Sequence, residues 1–156
     1  MAKRSAGLLI YRRSDGVLRV LLVHPGGPFW AKKDEGAWSI PKGLVGEDED
    51  ELAAAQRETE EELGIKVDGT FARLGDYKQP GGKVVTAWSV EARNDIDVGA
   101  IKSNMFTMEW PPRSGSLKEF PEVDRAGWFT LAEAKMKILK GQRPMLADLA
   151  GQGDAG

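Results

Sequence analysis

Residues 43–65 read GLVGEDEDELAAAQRETEEELGI, and this stretch predicts the main helix of the chain. Asp48 is a suitable N-cap with Glu51 three residues later, which is the spacing of a capping box. Gly64 is the residue type that commonly ends a helix in the left-handed conformation. One apolar stripe is expected to pack against a sheet, and it consists of Leu52, Ala55, Thr59 and Leu63.

The same helix carries an unusual excess of acid. Nine carboxylates lie between residues 47 and 62, and Arg57 is the one cation among them. The helix dipole favours the early acids, but not those near the C-terminal end, which are Glu58, Glu61 and Glu62. These three fall within an arc of about 100°, whereas Glu60 points away from them. Converging carboxylates beside a core are typical of a site for a hard divalent cation; a solvated charged face is the alternative.

Composition narrows the classes of protein to which the chain can belong. It has 156 residues, 41% of them apolar, and 22 basic against 24 acidic side chains, so a broad surface for duplex nucleic acid or an anionic membrane is not expected. Because there is no cysteine and one histidine, a metal must be held by oxygen. We expect a cytoplasmic protein with one domain over residues 1–150 and a flexible tail over residues 151–156.

The rest of the chain alternates predicted strands with helices. A hairpin turn at residues 14–16 joins the first two strands. Strands are predicted at residues 6–13, 17–24, 38–40, 71–79, 83–92, 104–110 and 125–129, and further helices at residues 131–139 and 145–149. This mixed order indicates an α/β or α+β sandwich in a single domain.

Residues 43–65 resemble the Nudix box. That pattern has glycine, five residues, glutamate, seven residues, Arg-Glu, an aliphatic residue, any residue, Glu-Glu, any residue, glycine and an aliphatic residue. All seven invariant positions are present, and Thr59 stands where an aliphatic residue is usual. The chain is similar in particular to the branch that hydrolyses nucleoside and dinucleoside polyphosphates. The resemblance implies an α/β/α sandwich with a mixed β-sheet between helices, and hydrolysis of a diphosphate linkage in a nucleoside diphosphate joined to another group.

The resemblance also implies a Mg²⁺ site, in which Mn²⁺ is able to substitute. Its ligands would be the carbonyl of Gly43 and the carboxylates of Glu58, Glu61 and Glu62. Glu58 would alternatively orient the attacking water. Arg57 would orient the carboxylates of the box, and Glu49 would act on the metal indirectly, through a ligand or a water. A carboxylate that accepts the water's proton completes the expected chemistry.

The general base of Nudix enzymes is not always in the box. The later carboxylates of this chain are Glu109, Glu119, Glu122 and Asp124. We favour Glu122 as a catalytic residue, because residues 122–129, EVDRAGWF, look like the family's acidic segment before its last core strand. The alternative is an ordinary surface charge on a loop.

Residues around the box suggest how a substrate would be held. The segment WSIPKG at residues 38–43 resembles a motif of Nudix enzymes for dinucleoside polyphosphates and diphosphoinositol phosphates, which makes Lys42 a candidate phosphate contact. Trp30 and Tyr77 are expected in or near loops, where they could stack on a base or pack beneath the loop. His24 closes a strand, and a structural role is expected for it.

Three other functions stay open at this stage. An ADP-ribose hydrolase and a diphosphoinositol-phosphate hydrolase fit the same box. A non-catalytic Nudix-like module that only binds a nucleotide is the alternative from a different class. In each case the partner is a small molecule rather than duplex nucleic acid or a membrane, and the family often forms homodimers.

Overall fold

The computed structural model describes residues 4–155 of the chain. Residues 1–3, which begin the predicted domain, and Gly156, which ends the predicted tail, lie outside the described part. The strands are β1 Arg4–Ser14, β2 Val17–Pro25, β3 Lys42–Leu44, β4 Phe71–Lys78, β5 Val84–Glu91, β6 Met105–Glu109, β7 Leu117–Pro121 and β8 Val123–Thr130. The helices are α1 Glu51–Leu63, α2 Leu131–Lys137 and α3 Arg143–Ala155.

Six of the strands form one mixed sheet. Their order is β4-β5-β1-β2-β8, and β3 pairs with the free part of the β1 edge. The β1–β5 pairing is parallel and the other pairings are antiparallel. The remaining strands, β6 and β7, form a separate antiparallel hairpin. The predicted α+β class with a mixed sheet is therefore confirmed.

The sheet separates two apolar cores, as the alternation along β1 and β2 requires. Leu9 and Leu22 face α2 and α3 in one core. Leu8 and Leu21 face α1 in the other. Both faces of the central strands are thus covered by helices, which is the sandwich architecture expected from the sequence. No helix in the described residues is both long and apolar enough to span a membrane.

A short segment between β2 and α1 fills a gap at the centre of the sheet. The strands β1 and β2 pair with each other only near their connecting turn. Further from the turn they separate, and residues 38–44 lie between them. Ser39 exchanges backbone hydrogen bonds with Val23, and Leu8 N donates to the carbonyl of Pro41. The predicted strand at residues 38–40 is wrong. Because Pro41 has no N–H for a ladder, regular pairing begins only at Lys42.

Helix α1 begins later than the sequence predicts. Its N-cap is Asp50, whose carboxylate accepts a hydrogen bond from Ala53 N. Asp48, the predicted cap, instead has φ of 62° and belongs to a turn in which Glu49 N donates to the carbonyl of Gly46. A left-handed residue cannot serve as the extended N-cap, so the capping box at Asp48 does not form.

The predicted end and buried face of α1 are confirmed. Gly64 caps the helix in the left-handed conformation, with φ of 70°. Residues Ala54, Ala55, Thr59 and Leu63 are buried, and Glu60 is exposed, as its helical angle predicts. Thr59 is satisfied within the helix because its hydroxyl donates to the carbonyl of Ala55. The one departure from the Nudix box therefore leaves no unpaired polar group in the core.

The C-terminal third differs most from the predicted boundaries. Strand β7 is not predicted, and α3 extends from Arg143 to Ala155 where the sequence predicts a helix only at residues 145–149. The helix thus includes most of the segment expected to be a flexible tail. Helix α2 begins with a capping box formed by Thr130 and Glu133, which the sequence analysis did not identify.

Candidate active site

The carboxylate of Glu58 lies directly against the backbone of Gly43. A Cβ atom at position 43 would be 2.0 Å from the Cδ atom of Glu58, far inside contact distance. An added Cβ would therefore displace the Glu58 carboxylate or the strand, and this close approach links the first glycine of the box to its central carboxylate. Strand β3 and helix α1 thereby place Gly43 and Glu58 at one point, as the sequence analysis expects of two metal ligands.

Arg57 binds three carboxylates on the exposed side of this point. Its guanidinium donates two hydrogen bonds to Glu49, from Nε at 2.8 Å and from Nη2 at 2.9 Å. Its Nη1 donates to Glu58 Oε1 at 2.9 Å and approaches Glu61 at 3.3 Å. The Arg57 hydrogen bonds lower the pKa of Glu49 to about 2, and Glu49 in turn raises the pKa of Arg57.

The loop before α1 is fixed by the same pair of residues. Arg57 Nη2 donates to the carbonyl of Leu44 at 3.1 Å, and Gly46 N donates to Glu49 Oε1 at 2.8 Å. Glu49 therefore acts on the site through Arg57 and the loop. This arrangement agrees with the indirect role expected for Glu49 and with the orienting role expected for Arg57, both of which stay predictions.

Glu62 lies on the other side of Glu58, turned toward the sheet. Its Oε2 accepts a hydrogen bond from Lys42 N at 3.0 Å, and its side chain is half-buried. Burial raises the pKa of Glu62 to about 8, against the opposing effects of the Lys42 N–H and ammonium group. Burial also raises the pKa of Glu58, despite its contact with Arg57. Burial therefore disfavours the charged form of both carboxylates.

Backbone hydrogen bonds bring Glu122 to these carboxylates. Asn104 N donates to the carbonyl of Glu61, Glu122 N donates to the carbonyl of Asn104, and Gly26 N donates to the carbonyl of Glu122. Burial and the charge of Glu61 raise the pKa of Glu122. The charge of Glu122 in turn raises the pKa of Glu58 and Glu62. The structure therefore brings the candidate base and the box together.

The other later carboxylates have different partners. Glu109 accepts a hydrogen bond from Arg113 N within the loop that joins β6 to β7. Asp124 is paired with the ring of His24. Glu119 lies on β7, where it is exposed. Glu122 differs from these three because its charge raises the pKa of both Glu58 and Glu62.

The candidate metal ligands are all oxygen atoms, which is the ligand type that a hard cation prefers. As the side chains stand, no three Asp, Glu, His or Cys residues in the described part of the chain are grouped closely enough to hold a metal, and Glu58 and Glu61 accept hydrogen bonds from Arg57. The charge of Glu122 nevertheless raises the pKa of both Glu58 and Glu62. An all-oxygen set with excess negative charge is what Mg²⁺ requires.

A cleft of about 180 Å³ adjoins this cluster. Glu62, Glu122 and Lys42 line its polar end, and Trp30 lines its wall together with apolar side chains of β2 and of the segment before β3. Trp30 and Lys42, two of the predicted substrate-binding residues, are therefore placed next to the candidate catalytic residues. A mostly apolar wall with a few charged groups is the usual form of a small-molecule pocket.

Tyr77, the third predicted substrate-binding residue, is elsewhere. It lies inside β4 and is buried, with 7% of its surface exposed. Its hydroxyl donates to Asp148 Oδ2 of α3 at 2.6 Å, and burial raises its pKa. Its burial agrees with the packing alternative of the sequence analysis rather than with stacking on a base. The inward face of β4 directs its ring into the core beneath α3.

The comparisons with known proteins agree with this geometry. The family model for the NUDIX domain matches residues 1–149. The chain belongs to the Nudix family. It is 42% identical over 65 residues to the asymmetrical bis(5'-nucleosyl)-tetraphosphatase of Caenorhabditis elegans, and this match covers 42% of the chain and 43% of that relative. The aligned segment therefore spans less than half of the curated relative's length.

Solved Nudix structures share the whole fold. A binary complex of the C. elegans Ap4A hydrolase superposes with a TM-score of 0.71 at 25% identity, covering 97% of this chain and 99% of that one. The NUDIX domain of Shewanella oneidensis NrtR, solved with ADP ribose, superposes with a TM-score of 0.64 at 16% identity, covering 97% and 88%. The second likeness shows the fold alone.

One residue that supports the Nudix site was missed by sequence analysis. Gln142 is fully buried; its Oε1 accepts from Ile40 N at 3.1 Å and its Nε2 donates to Ser39 Oγ at 2.9 Å. These bonds fix the segment that leads into Lys42 and Gly43. The contact joins residues about a hundred positions apart, so no local pattern in the sequence indicates it.

Proposed function

We propose that this Nudix protein hydrolyses a diphosphate linkage in a dinucleoside or nucleoside polyphosphate, with Mg²⁺ as its cofactor. The observation that carries the proposal is the position of the carboxylate cluster at the polar end of a cleft whose wall contains Trp30. The likeness to the C. elegans tetraphosphatase over 42% of the chain supports this substrate class.

In this proposal the cation is held by the Gly43 carbonyl and by Glu58, Glu61 and Glu62. Mn²⁺ would substitute, since it also prefers oxygen ligands. When bound, the cation offsets negative charge on the phosphate oxygens and makes water easier to deprotonate. Arg57 keeps Glu49 and the Leu44 carbonyl in place, so the loop before α1 would stay ordered if Glu58 and Glu61 bound the cation instead of Arg57.

The protein's own residues have separate tasks around the phosphates. Glu122 accepts the proton of the attacking water, and its raised pKa makes it a stronger base than an exposed glutamate. Glu58 would alternatively orient that water. Lys42 donates from its ammonium group to the phosphate oxygens, and Trp30 stacks on a base. In this arrangement the phosphates of the substrate would lie at the carboxylates and their cation, and its nucleoside would lie in the cleft.

The test is a phosphate-release screen with Mg²⁺ and with Mn²⁺, run on the wild type, Glu61→Gln and Glu60→Gln. The panel contains dinucleoside polyphosphates, nucleoside triphosphates, ADP-ribose, NADH and diphosphoinositol phosphates. We expect turnover of a dinucleoside polyphosphate, reduced about 100-fold or more in Glu61→Gln. Glu60→Gln is the matched control, because Glu60 is the adjacent, exposed carboxylate of the same helix.

Each other result of the screen has a distinct meaning. Cleavage of ADP-ribose or a diphosphoinositol phosphate alone would keep the hydrolase and change its substrate class. Binding of nucleotides without cleavage under either metal would refute the enzyme and favour a non-catalytic binding module. Equal loss in both variants would show that the carboxylates act through general charge rather than as ligands.

A further inference from the structure

His24 is a fully buried polar side chain that the proposed chemistry does not use. It lies on β2 among Leu21, Leu22 and Val23, and none of its surface is exposed. A leucine would suit an apolar position of this kind without any need for hydrogen bonds. The histidine is therefore explained by what its ring nitrogens bind.

Both ring nitrogens of His24 face acceptors. Nδ1 is 2.8 Å from Asp124 Oδ1, and Nε2 is 2.6 Å from the carbonyl oxygen of Lys33. A carboxylate and a carbonyl cannot donate, so both bonds are satisfied only when both ring nitrogens carry hydrogen. Such hydrogen bonds between a charged ring and a carboxylate are the stronger kind found in proteins.

A β-bulge directs Asp124 toward the ring. His24 pairs with Arg125 of β8, but the next pair along is Pro25 with Val123, so Asp124 has no partner in the ladder. A bulge of this kind turns a side chain away from its regular alternation. Asp124 also lies 3.7 Å from Arg125 Nε, a longer and partly exposed contact.

The two partners of His24 lead to two residues that line the substrate cleft. Lys33 N donates to the carbonyl of Trp30 at 2.9 Å, and the Lys33 ammonium lies 5.3 Å from the centre of the Trp30 ring. Asp124, the other partner, is two residues beyond Glu122, the candidate general base. Trp30 and Glu122 both line the cleft.

We propose that His24 is a positioning residue that fixes the loop of residues 26–36, which contains Trp30, relative to the segment of residues 121–125, which contains Glu122. This rests on the proposed function, because Trp30 holds the nucleoside and Glu122 serves the attacking water in that scheme. His24 does not touch the substrate. Its bond to Lys33 sets substrate binding, and its bond to Asp124 sets the placement of the base.

Two substitutions at His24 separate these bonds. In His24→Asn the amide lies near the former Nδ1 position, so it reaches Asp124 but not Lys33. In His24→Gln the amide lies near the former Nε2 position, so it reaches the Lys33 carbonyl but not Asp124. We expect KM to rise about tenfold with kcat kept in His24→Asn, and kcat to fall about tenfold with KM kept in His24→Gln. Leu22→Val is the control for loss of core packing on the same strand.

Hydrogen exchange measured by mass spectrometry tests the link without any substrate. Amides of residues 26–36 should exchange about tenfold faster in His24→Asn, and those of residues 121–125 in His24→Gln, while Leu22→Val should show neither local change. Failure of the wild type to hydrolyse any panel compound would contradict the proposed function, while the exchange would still decide the role of His24. Equal changes in both segments, or in neither, would overturn the positioning role, as would kcat and KM changing together.

Discussion

Glu49 and Glu62 are both carboxylates of the Nudix box, but their surroundings shift their pKa values in opposite directions. Glu49 accepts two hydrogen bonds from Arg57 and one from Gly46 N, and its pKa is lowered to about 2. Glu62 is half-buried and accepts one backbone hydrogen bond from Lys42, and its pKa is raised to about 8. The two side chains flank Glu58 on the exposed and the sheet side of one cluster.

The difference shows how the box divides its charge. Arg57 neutralises the exposed side and fixes the loop before α1. On the sheet side the charged forms of the carboxylates are disfavoured, because burial and the charge of Glu122 raise the pKa of Glu58 and of Glu62. Stability alone does not favour such an arrangement. It is the arrangement expected where a divalent cation and a phosphate chain are to bind.

Gly43→Ala should have the largest effect, because it disturbs the point where the two sides meet. The new Cβ would be 2.0 Å from Glu58 Cδ, so either the carboxylate or β3 must move. We expect kcat/KM to fall about 100-fold or more, since misplacement by about an ångström has that effect in active sites. Steady-state kinetics at saturating Mg²⁺ measures the change.

Gly151→Ala is the matched control for that substitution. Gly151 is in α3, and an added Cβ there meets open space. The unfolding temperature of this variant should be equal to or higher than that of the wild type, because alanine favours a helix more than glycine does. Wild-type activity in Gly43→Ala would contradict the close-packing argument for the first glycine of the box.

Lys42→Gln should have a smaller effect and isolates the cation of the sheet side. Its backbone N–H bond to Glu62 is kept, so only the ammonium charge in the cleft is lost. We expect kcat/KM to fall about tenfold, the usual size of one charge-assisted contact to phosphate. Lys42→Arg keeps the charge and should recover most of the loss; if both variants fell equally, side-chain shape rather than charge would be at issue.

The spacing within α1 was enough to predict which of its carboxylates lie near one another. Periodicity alone predicts that Glu58, Glu61 and Glu62 share a side and that Glu60 does not. The left-handed Gly64 is likewise a local signal with one physical cause. These features are set within a few residues, so the sequence contains them directly.

Features that depend on distant contacts were beyond the sequence. The N-cap of the helix is Asp50 rather than Asp48, since the preceding turn contains Glu49, which is bound by Arg57, eight residues further along. Tyr77 lies in the core rather than in the cleft because α3 packs over β4, where Asp148 accepts the hydrogen bond from the Tyr77 hydroxyl. Gln142 binds backbone about a hundred residues away. Each outcome depends on tertiary packing that local propensity does not contain.

The smallest expected effects concern stability against pH, and they should have opposite signs at the two carboxylates. Glu49 has a lowered pKa, so its stabilisation is complete above the ordinary value of 4.5 and is lost as pH falls toward about 2. Glu62 has a raised pKa, so the folded state keeps its proton up to about pH 8 while the unfolded chain releases it near 4.5. Stability therefore declines as pH rises through that window.

Thermal unfolding without divalent cations tests the pair across pH 3 to 9. The quantity compared is the unfolding temperature of each variant minus that of the wild type at the same pH. For Glu49→Gln this difference should be about 5 °C more negative at pH 7 than at pH 3. For Glu62→Gln it should be about 5 °C more positive at pH 9 than at pH 5. Shifts of the same sign would contradict the division of charge between the two sides. Added Mg²⁺ should then stabilise the wild type more than Glu62→Gln at pH 9, because an ion that binds the folded state stabilises it more when it binds more tightly.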